Sequence, residues 1–254
     1  MIANNPKTLH KRNMLHRLLC NIIDEKNILK ILELGNGKKS TVWFRDILKE
    51  KNNSYCLSIE NNERYYKYIS SLVTDSDQGR IEFSHLVWDD KAGLHYDYDL
   101  SSEGKYDLIF IDGPGNAFIY DKKKKELDTS PTGKMLCIDY MKNRQDVCLN
   151  GEYTRGGACR LFMFDYCMSC IKKNTIIVID GSKTAVLYFY QKHHNRFNFY
   201  NFGGIPKFSK NKNKALKKEF LNKINFIPSI ITVIVPKDST TSKKIIKKLS
   251  VSYN

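Results

Sequence analysis

The sequence predicts a doubly wound α/β domain built around a mostly parallel β-sheet, and two patterns support that prediction. Several short, continuous apolar runs each end at or beside an acidic residue, which is typical of parallel strands that helices cover on both faces. Stretches with helical periodicity separate these runs, and an alternation of strands and helices produces a parallel sheet. The clearest strand runs are 28–34, 55–59, 106–111 and 175–179, and a weaker run is 80–87.

Predicted helices occupy the intervals between these strands. They lie at 6–27, 40–51, 63–73, 159–172 and 184–193. Beyond them, the sequence predicts strands at 197–202 and 230–235, which a long basic connection joins. We expect the antiparallel part of an otherwise parallel sheet here, at the C-terminal strand.

The domain organisation follows from length and from the spacing of these elements. A chain of 254 residues has the size of one large α/β domain, so we expect a single domain over 1–254. Residues 1–27 form an N-terminal helical extension, and 203–254 form a basic C-terminal part. Residues 113–157 lack sustained apolar periodicity and follow the carboxyl end of a strand, where open α/β sheets bind ligands. They are predicted to be a lid-like insertion.

A formal charge of +15 raises the question of a nucleic-acid partner. Only nine of the 42 basic residues are arginine. Arginine binds phosphates and base edges better than lysine does, because its planar guanidinium can donate two hydrogen bonds at once. The composition therefore favours a solvated basic surface, with an anionic small substrate or a nucleic acid as the alternatives.

Compartment and redox state are inferred from apolar runs and cysteines. No apolar run approaches the roughly 20 residues of a membrane span, and no export signal is recognised, so we expect a soluble cytoplasmic protein. The seven cysteines are scattered, which predicts free thiols. Cys167 and Cys170 have no second pair at zinc-ribbon spacing and no nearby histidine, so they are interpreted as buried thiols on a helix.

The strongest chemical signal follows the first predicted strand. Gly35, Asn36 and Gly37 form a Gly-x-Gly turn in which the backbone can bend tightly and approach a ligand before a helix begins near Ser40. A dinucleotide fingerprint would require a third glycine at the position of Ser40. Glu33, just before the turn, would repel a pyrophosphate and suits a ligand that carries an amino group.

The second signal is Glu60, at the end of the next apolar run and 25 positions after Gly35. An acid at this place accepts hydrogen bonds from both ribose hydroxyls of an adenosine lying across the strand ends. The competing interpretation is an ordinary acid at the end of a strand.

These residues resemble the class I S-adenosylmethionine-dependent methyltransferases. The resemblance covers roughly residues 28–195, in order, and the Ile-Asp-Gly-Pro block is its most specific element. Asn36 replaces the serine that is usual in the family, and two lysines follow the second glycine. The matching motifs are Leu-Glu-Leu-Gly-Asn-Gly-Lys-Lys-Ser-Thr-Val-Trp-Phe at 32–44, Ser-Ile-Glu-Asn at 58–61, Tyr-Asp-Leu-Ile-Phe-Ile-Asp-Gly-Pro at 106–114 and Ile-Ile-Val-Ile-Asp-Gly at 176–181.

The resemblance implies S-adenosylmethionine as cofactor and S-adenosylhomocysteine as product. It implies that the first motif contacts the methionine part, the second holds the ribose, and residues after the third strand flank the adenine. The implied cofactor-binding residues are Glu33, Gly35, Asn36, Gly37, Glu60, Asn61, Trp88, Asp89 and Asp112.

Asp112 closes a strand where the cofactor's sulfonium and the acceptor should meet, so it is the leading catalytic candidate. Asp180, at the end of the next strand, faces the same crevice, and His193 is a further candidate base. The competing interpretations are a turn-capping carboxylate for Asp112 and a solvated helix end for His193. Asp112 and Asp180 also resemble the metal-binding acids of some small-molecule O-methyltransferases, but Gly181 follows where that group has Asp-Asn. We therefore expect no divalent metal.

The predicted reaction is O-methylation of a small polar, glycan or phosphate-bearing acceptor, because the Asn/Asp-Pro-Pro-Tyr/Phe motif of amide or base N-methylation is absent. Arg160 and Lys183 are candidates for binding an anionic substrate, with a surface or pairing role as the alternative. Three other functions stay open. They are an RNA methyltransferase that uses the basic C-terminal surface, a nicotinamide-dependent oxidoreductase, and a catalytically silent cofactor-binding subunit.

Overall fold

A computed structural model describes the chain from residue 6 to residue 253, except for 38, 74, 77, 116–117, 143–157 and 203–230. The strands are β1 (Lys30–Leu34), β2 (Tyr55–Glu60), β3 (Gly79–Phe83), β4 (Leu86–Asp89), β5 (Gly93–Tyr96), β6 (Tyr106–Ile111), β7 (Phe118–Asp121), β8 (Glu126–Thr132), β9 (Ile171–Asp180), β10 (Phe197–Phe202) and β11 (Ile231–Pro236). The α-helices are α1 (Pro6–Lys26), α2 (Ser40–Leu48), α3 (Glu63–Ser70), α4 (Gly133–Lys142), α5 (Met163–Tyr166), α6 (Lys183–His193) and α7 (Thr240–Tyr253).

Within the described residues, seven strands form the main sheet in the order β10-β11-β9-β6-β1-β2-β3. Neighbouring strands from β9 to β3 are parallel, whereas β11 is antiparallel to both β9 and β10. The predicted doubly wound, mostly parallel sheet with an antiparallel C-terminal strand is therefore confirmed.

The strand register brings the candidate residues to one edge. Leu34 of β1 is paired with Ile59 of β2 and with Ile111 of β6. Ile111 is in turn paired with Ile179 of β9. The residues that follow these four positions therefore emerge side by side at the carboxyl end of the sheet.

Alternate residues of the central strands are buried in two different hydrophobic cores, one on each face of the sheet. Ile31 and Phe110 belong to the core under α1, α2 and α7, whereas Leu32 and Ile109 belong to the core under α4, α5 and α6. All four side chains are essentially unexposed. Each buried side chain of this kind contributes about 1.5–3 kcal/mol, which explains why the strands are apolar on both faces.

A smaller sheet, in the order β5-β4-β7-β8, lies apart from the main sheet. The prediction of one strand over 80–87 is wrong, because β3 ends in the main sheet and β4 begins in the smaller one. The chain leaves the main sheet at Ser84, whose N–H donates to the Glu60 carbonyl oxygen (2.9 Å). Asp97 then donates to the His85 carbonyl oxygen (2.8 Å), which closes the β4-β5 hairpin.

The predicted helix over 159–172 is also wrong. The segment forms a 3₁₀ turn (Ala158–Arg160), the four-residue α5, a second 3₁₀ turn (Met168–Cys170) and the start of β9. Four successive side chains, Leu161 to Phe164, are buried, so the apolar spacing reflects burial on all sides and not one helical face. Cys167 and Cys170 are buried free thiols, as predicted, but they lie on these short turns.

The segment 113–157 contains regular structure that the sequence did not predict. Strands β7 and β8 form a hairpin. Helix α4 buries Cys137 and Met141 in the same core as Leu32 and Ile109. Residues 143–157 lie outside the described residues, so the lid function stays a prediction. Helix α7 was not predicted either, and it buries Ile246 and Leu249. Among the helices that the structure describes, none has the length and apolarity needed to cross a membrane.

Candidate functional site

The turn after β1 packs directly against the turn after β6. Gly35 has a φ of +83°, and its N–H donates to the Ile59 carbonyl oxygen at 2.8 Å. Asp112 and Gly113 both donate to the Leu34 carbonyl oxygen, at 3.0 and 2.6 Å. A Cβ on Gly35 would lie 2.3 Å from the Gly113 Cα, so the two turns touch through backbone. Glycine is therefore required at Gly35 both for its φ and for this contact.

Glu33 supports the glycine turn from beneath. Its side chain is fully buried, and Oε2 accepts hydrogen bonds from Thr41 Oγ1 (2.7 Å) and Ser58 Oγ (2.6 Å). The Thr41 hydroxyl also accepts the Gly37 N–H at 3.0 Å. Burial raises the pKa of Glu33 to about 7, although the surrounding hydroxyl groups oppose that shift. The structure connects Glu33 to the turn through Thr41, and the contact with the cofactor that the resemblance implies stays a prediction.

Glu60 lies at the same edge, at the end of β2, and is 6% exposed. Its Oε1 accepts hydrogen bonds from the main-chain N–H groups of Asn61 (2.9 Å) and Asn62 (2.7 Å). Burial raises the pKa of Glu60 to about 7, and main-chain N–H groups, including that of Asn36, oppose the shift. The negative charge of Asp112 adds to the rise for both Glu60 and Glu33. These carboxyl groups therefore form one electrostatic cluster.

Several side chains in and around this cluster contain buried polar atoms without a hydrogen-bond partner among the described residues. They include Asn36, through both amide atoms, Asn61, through Oδ1, Tyr96, through its hydroxyl, and Glu33, through Oε1. An unsatisfied buried polar group costs about 1–3 kcal/mol, and most such groups in proteins are paired. A polar ligand at this edge would satisfy them. Asn36 and Asn61 were predicted from the sequence, but Tyr96 was not, because β5 was not recognised.

Arg160 connects the ends of β6 and β9. Its Nη2 lies 3.0 Å from Asp112 Oδ1, and its Nη1 donates to the main-chain oxygen of Asp180. The Asp112 side chain is 37% exposed and the Arg160 side chain 17% exposed, so the pair borders the crevice. The structure thus brings together the predicted catalytic acids and one predicted substrate-binding residue. Lys183 begins α6 directly after this edge, and its side chain lies outside the described residues.

Trp88 and Asp89 lie on β4, one strand beyond the carboxyl end of β3. Trp88 Nε1 donates to Asp90 Oδ1 (3.3 Å), and Asp89 caps the β4-β5 turn by accepting two main-chain N–H groups at 2.8 Å. The residues that directly follow β3 are Ser84 and His85. The break between β3 and β4 has no signal in the composition, and the place of Trp88 and Asp89 beside the adenine stays a prediction.

His193 does not lie with the other candidates. It is at the last residue of α6, and a helix of 11 residues separates it from the sheet edge by roughly 15 Å. Its Nε2 lies 2.7 Å from Asp165 Oδ1, and its ring is 6% exposed and packs on Phe164. The structure therefore places His193 in a hydrogen bond with Asp165 and in contact with Phe164, instead of at the solvated helix end that was the alternative interpretation.

A metal ligand set would need several suitable side chains around one point. Among the described residues, no group of three His, Cys, Asp or Glu side chains has that arrangement. Glu33, Glu60 and Asp112 belong to the ends of three neighbouring strands, β1, β2 and β6.

Comparisons with known proteins concern the fold. Human methyltransferase-like protein 13, solved with S-adenosylhomocysteine, has 8% identity and a TM-score of 0.43, over 96% of this chain and 89% of that one. The O-methyltransferase TomG from Streptomyces achromogenes, solved with S-adenosylmethionine, has 11% identity and a TM-score of 0.39, over 89% and 79%. The 16S rRNA methylase ArmA has 12% identity and a TM-score of 0.35, over 92% and 87%.

The sequence matches no family model, and a search of curated proteins finds no match.

Proposed function

We propose that this protein is an S-adenosylmethionine-dependent methyltransferase. The observation that carries the proposal is the carboxyl edge of the sheet around the glycine turn. Acidic side chains lie together there, and several buried polar atoms have no hydrogen-bond partner among the described residues. Glu60 and Asp112 lie there with both amide atoms of Asn36 and Oδ1 of Asn61, which have no hydrogen-bond partner among the described residues. S-adenosylmethionine carries a positive sulfonium and an ammonium group, so the cluster attracts it. The pyrophosphate of a dinucleotide would instead meet repulsion.

Each residue has a specific role in this proposal. The Gly35–Gly37 turn lets the backbone approach the methionine part, and Glu33 holds that turn through Thr41. Glu60 and Asn61 hold the ribose. The bound cofactor supplies an electrophilic methyl group. Orientation of the acceptor is then the main task of the protein.

We assign the acceptor side of the crevice to Asp112 and Arg160. Arg160 Nη2, at 3.0 Å from Asp112 Oδ1, orients the carboxylate, and we assign to this carboxylate the removal of a proton from an acceptor hydroxyl. The guanidinium also offers positive charge to a carboxylate or phosphate on the substrate. A small polar, glycan or phosphate-bearing acceptor with a reactive hydroxyl fits this arrangement.

The proposal is tested by ligand-induced stabilisation. S-adenosylhomocysteine should raise the melting temperature, because a ligand that binds only the native state stabilises it by mass action, and at 100 times its Kd the gain is about 2.7 kcal/mol. NAD should give no shift. Glu60→Gln should largely remove the effect of S-adenosylhomocysteine, since it removes a charge and a ribose hydrogen-bond acceptor.

Exposed Glu50, outside the site, provides the matched control, and Glu50→Gln should keep the full shift. Stabilisation by NAD without stabilisation by S-adenosylhomocysteine would replace the proposal with a nicotinamide-dependent oxidoreductase.

A further inference from the structure

Tyr96, the last residue of β5, is a fully buried tyrosine whose hydroxyl has no hydrogen-bond partner among the described residues. It belongs to the smaller sheet, yet it reaches the edge of the main sheet. A buried phenol without a partner is unfavourable. A polar group of a ligand at this place would satisfy the hydroxyl.

The position of the hydroxyl is fixed by the glycine turns. A Cβ built on Gly113 would lie 2.9 Å from the Tyr96 hydroxyl oxygen and 2.5 Å from the Gly35 Cα. The hydroxyl therefore lies beside the contact between the turns after β1 and β6. Any ligand that crosses these two strand ends passes it.

The charges around Tyr96 come from the candidate site. Burial raises its pKa well above the ordinary value, the negative charges of Glu60 and Asp112 raise it further, and Arg160 opposes them. The phenol is therefore protonated at neutral pH, and it can both donate and accept one hydrogen bond.

We propose that the Tyr96 hydroxyl hydrogen-bonds the amino-acid end of the bound S-adenosyl cofactor. This inference rests on the proposed function. If Glu60 at the end of β2 holds the ribose, an extended cofactor directs one end toward β3 and the other across β1 toward β6. The charged ammonium and carboxylate groups belong on the β1–β6 side, where the Tyr96 hydroxyl lies with the carboxylate of Asp112 and the guanidinium of Arg160.

The test measures affinity by titration calorimetry with two probes. S-adenosylhomocysteine carries the amino-acid end, and 5′-methylthioadenosine lacks it but keeps the adenosine. Tyr96→Phe should weaken binding of S-adenosylhomocysteine about 10- to 100-fold, the effect of losing a hydrogen bond to a charged group. Binding of 5′-methylthioadenosine should stay within about twofold of the wild type.

Tyr106 supplies a matched control, because it is 1% exposed and its hydroxyl also has no hydrogen-bond partner among the described residues, but it begins β6 at the opposite end of the strand. Tyr106→Phe should leave both affinities unchanged. Neither substitution removes a hydrogen bond that the described residues make, so neither should lower the melting temperature of the free protein.

Three outcomes would overturn the inference. Wild-type affinity of Tyr96→Phe for S-adenosylhomocysteine would show that the hydroxyl does not contact this part of the ligand. An equal loss of affinity for both probes would indicate that the hydroxyl contacts the nucleoside part of the ligand or has a structural role. A wild-type protein that binds neither probe would instead overturn the proposed function, and this outcome is visible before any variant is made.

Discussion

At the scale of single residues, Glu33 and Glu60 are carboxyl groups of similar burial with different partners. Hydroxyl groups of Thr41 and Ser58 surround Glu33, whereas main-chain N–H groups hold Glu60 at the edge. The sequence identified both acids from their place at the ends of apolar runs. It could not assign Glu33 to the support of the turn, because the side of the sheet to which a strand residue points depends on register.

Asp112 is the residue on which the proposed chemistry depends. Asp112→Asn keeps the shape but removes the charge and the basicity, so methyl transfer should fall by about two to four orders of magnitude. Affinity for S-adenosylhomocysteine should change much less. The measurement is transfer of a radiolabelled methyl group from S-adenosylmethionine into a mixed pool of polar metabolites. A joint loss of affinity and transfer would identify Asp112 as a cofactor-binding or turn-capping residue.

Asp107 provides the control on the same strand. Its carboxylate pairs with Lys172 (2.6 Å) at the amino end of β6, far from the crevice. Asp107→Asn should leave the rate of methyl transfer by folded protein unchanged.

At the scale of elements, the first turn of α2 joins the glycine turn to the sheet. Thr41 donates to Glu33 and accepts from Gly37, so one hydroxyl connects β1, the turn and the helix. No side chain caps α2 at Lys39, so this internal hydroxyl has the positioning role at the start of the helix. The turn is therefore expected to depend on Thr41 for its geometry.

Thr41→Val removes the hydroxyl and keeps the volume. It should lower the free energy of unfolding by about 1–3 kcal/mol, because Gly37 N–H and Glu33 both lose a partner. It should also weaken S-adenosylhomocysteine binding about tenfold, or roughly 1.4 kcal/mol, because the turn is less ordered. Urea unfolding and calorimetry measure the two effects.

Thr175 makes the same kind of two-bond bridge away from the site. Its hydroxyl accepts the Lys172 N–H (2.8 Å) and donates to the Tyr106 carbonyl oxygen (2.7 Å), and the side chain is fully buried. Thr175→Val should lower stability similarly without changing cofactor affinity. Equal losses of affinity in both variants would attribute the effect of Thr41→Val to general destabilisation.

At the scale of the whole molecule, the two raised carboxyl pKa values connect stability to pH. Folding raises the pKa of Glu33 and of Glu60 from 4.5 to about 7, so between these values the folded protein holds more protons than the unfolded chain. The contribution of these two groups to the free energy of unfolding of the free protein is therefore complete below pH 4.5, and it declines as pH rises toward 7. The decline is up to about 3 kcal/mol per carboxyl group.

Cofactor binding should have the opposite pH dependence. S-adenosylmethionine carries a sulfonium and an ammonium group, which favour the ionised carboxylates, so its affinity should increase from pH 6 to pH 8 and its binding should release protons. Calorimetry in two buffers with different ionisation enthalpies counts those protons. Glu60→Gln should release fewer protons than the wild type. An unchanged proton count in this variant, or affinity that falls with increasing pH, would contradict the electrostatic account of the site.

The sequence by itself determined the doubly wound sheet, the antiparallel C-terminal strand and the edge where Glu60, Asp112 and the glycine turn meet. These features depend on local periodicity and on residues at strand ends, which the chain order displays directly. Only the tertiary structure decided that Arg160 pairs with Asp112, that His193 lies elsewhere and that Tyr96 reaches the crevice. The smaller sheet carries Tyr96, a short turn before β9 carries Arg160, and the last residue of α6 is His193. Contacts between distant segments are set by packing and register, and neither leaves a periodic pattern in the sequence.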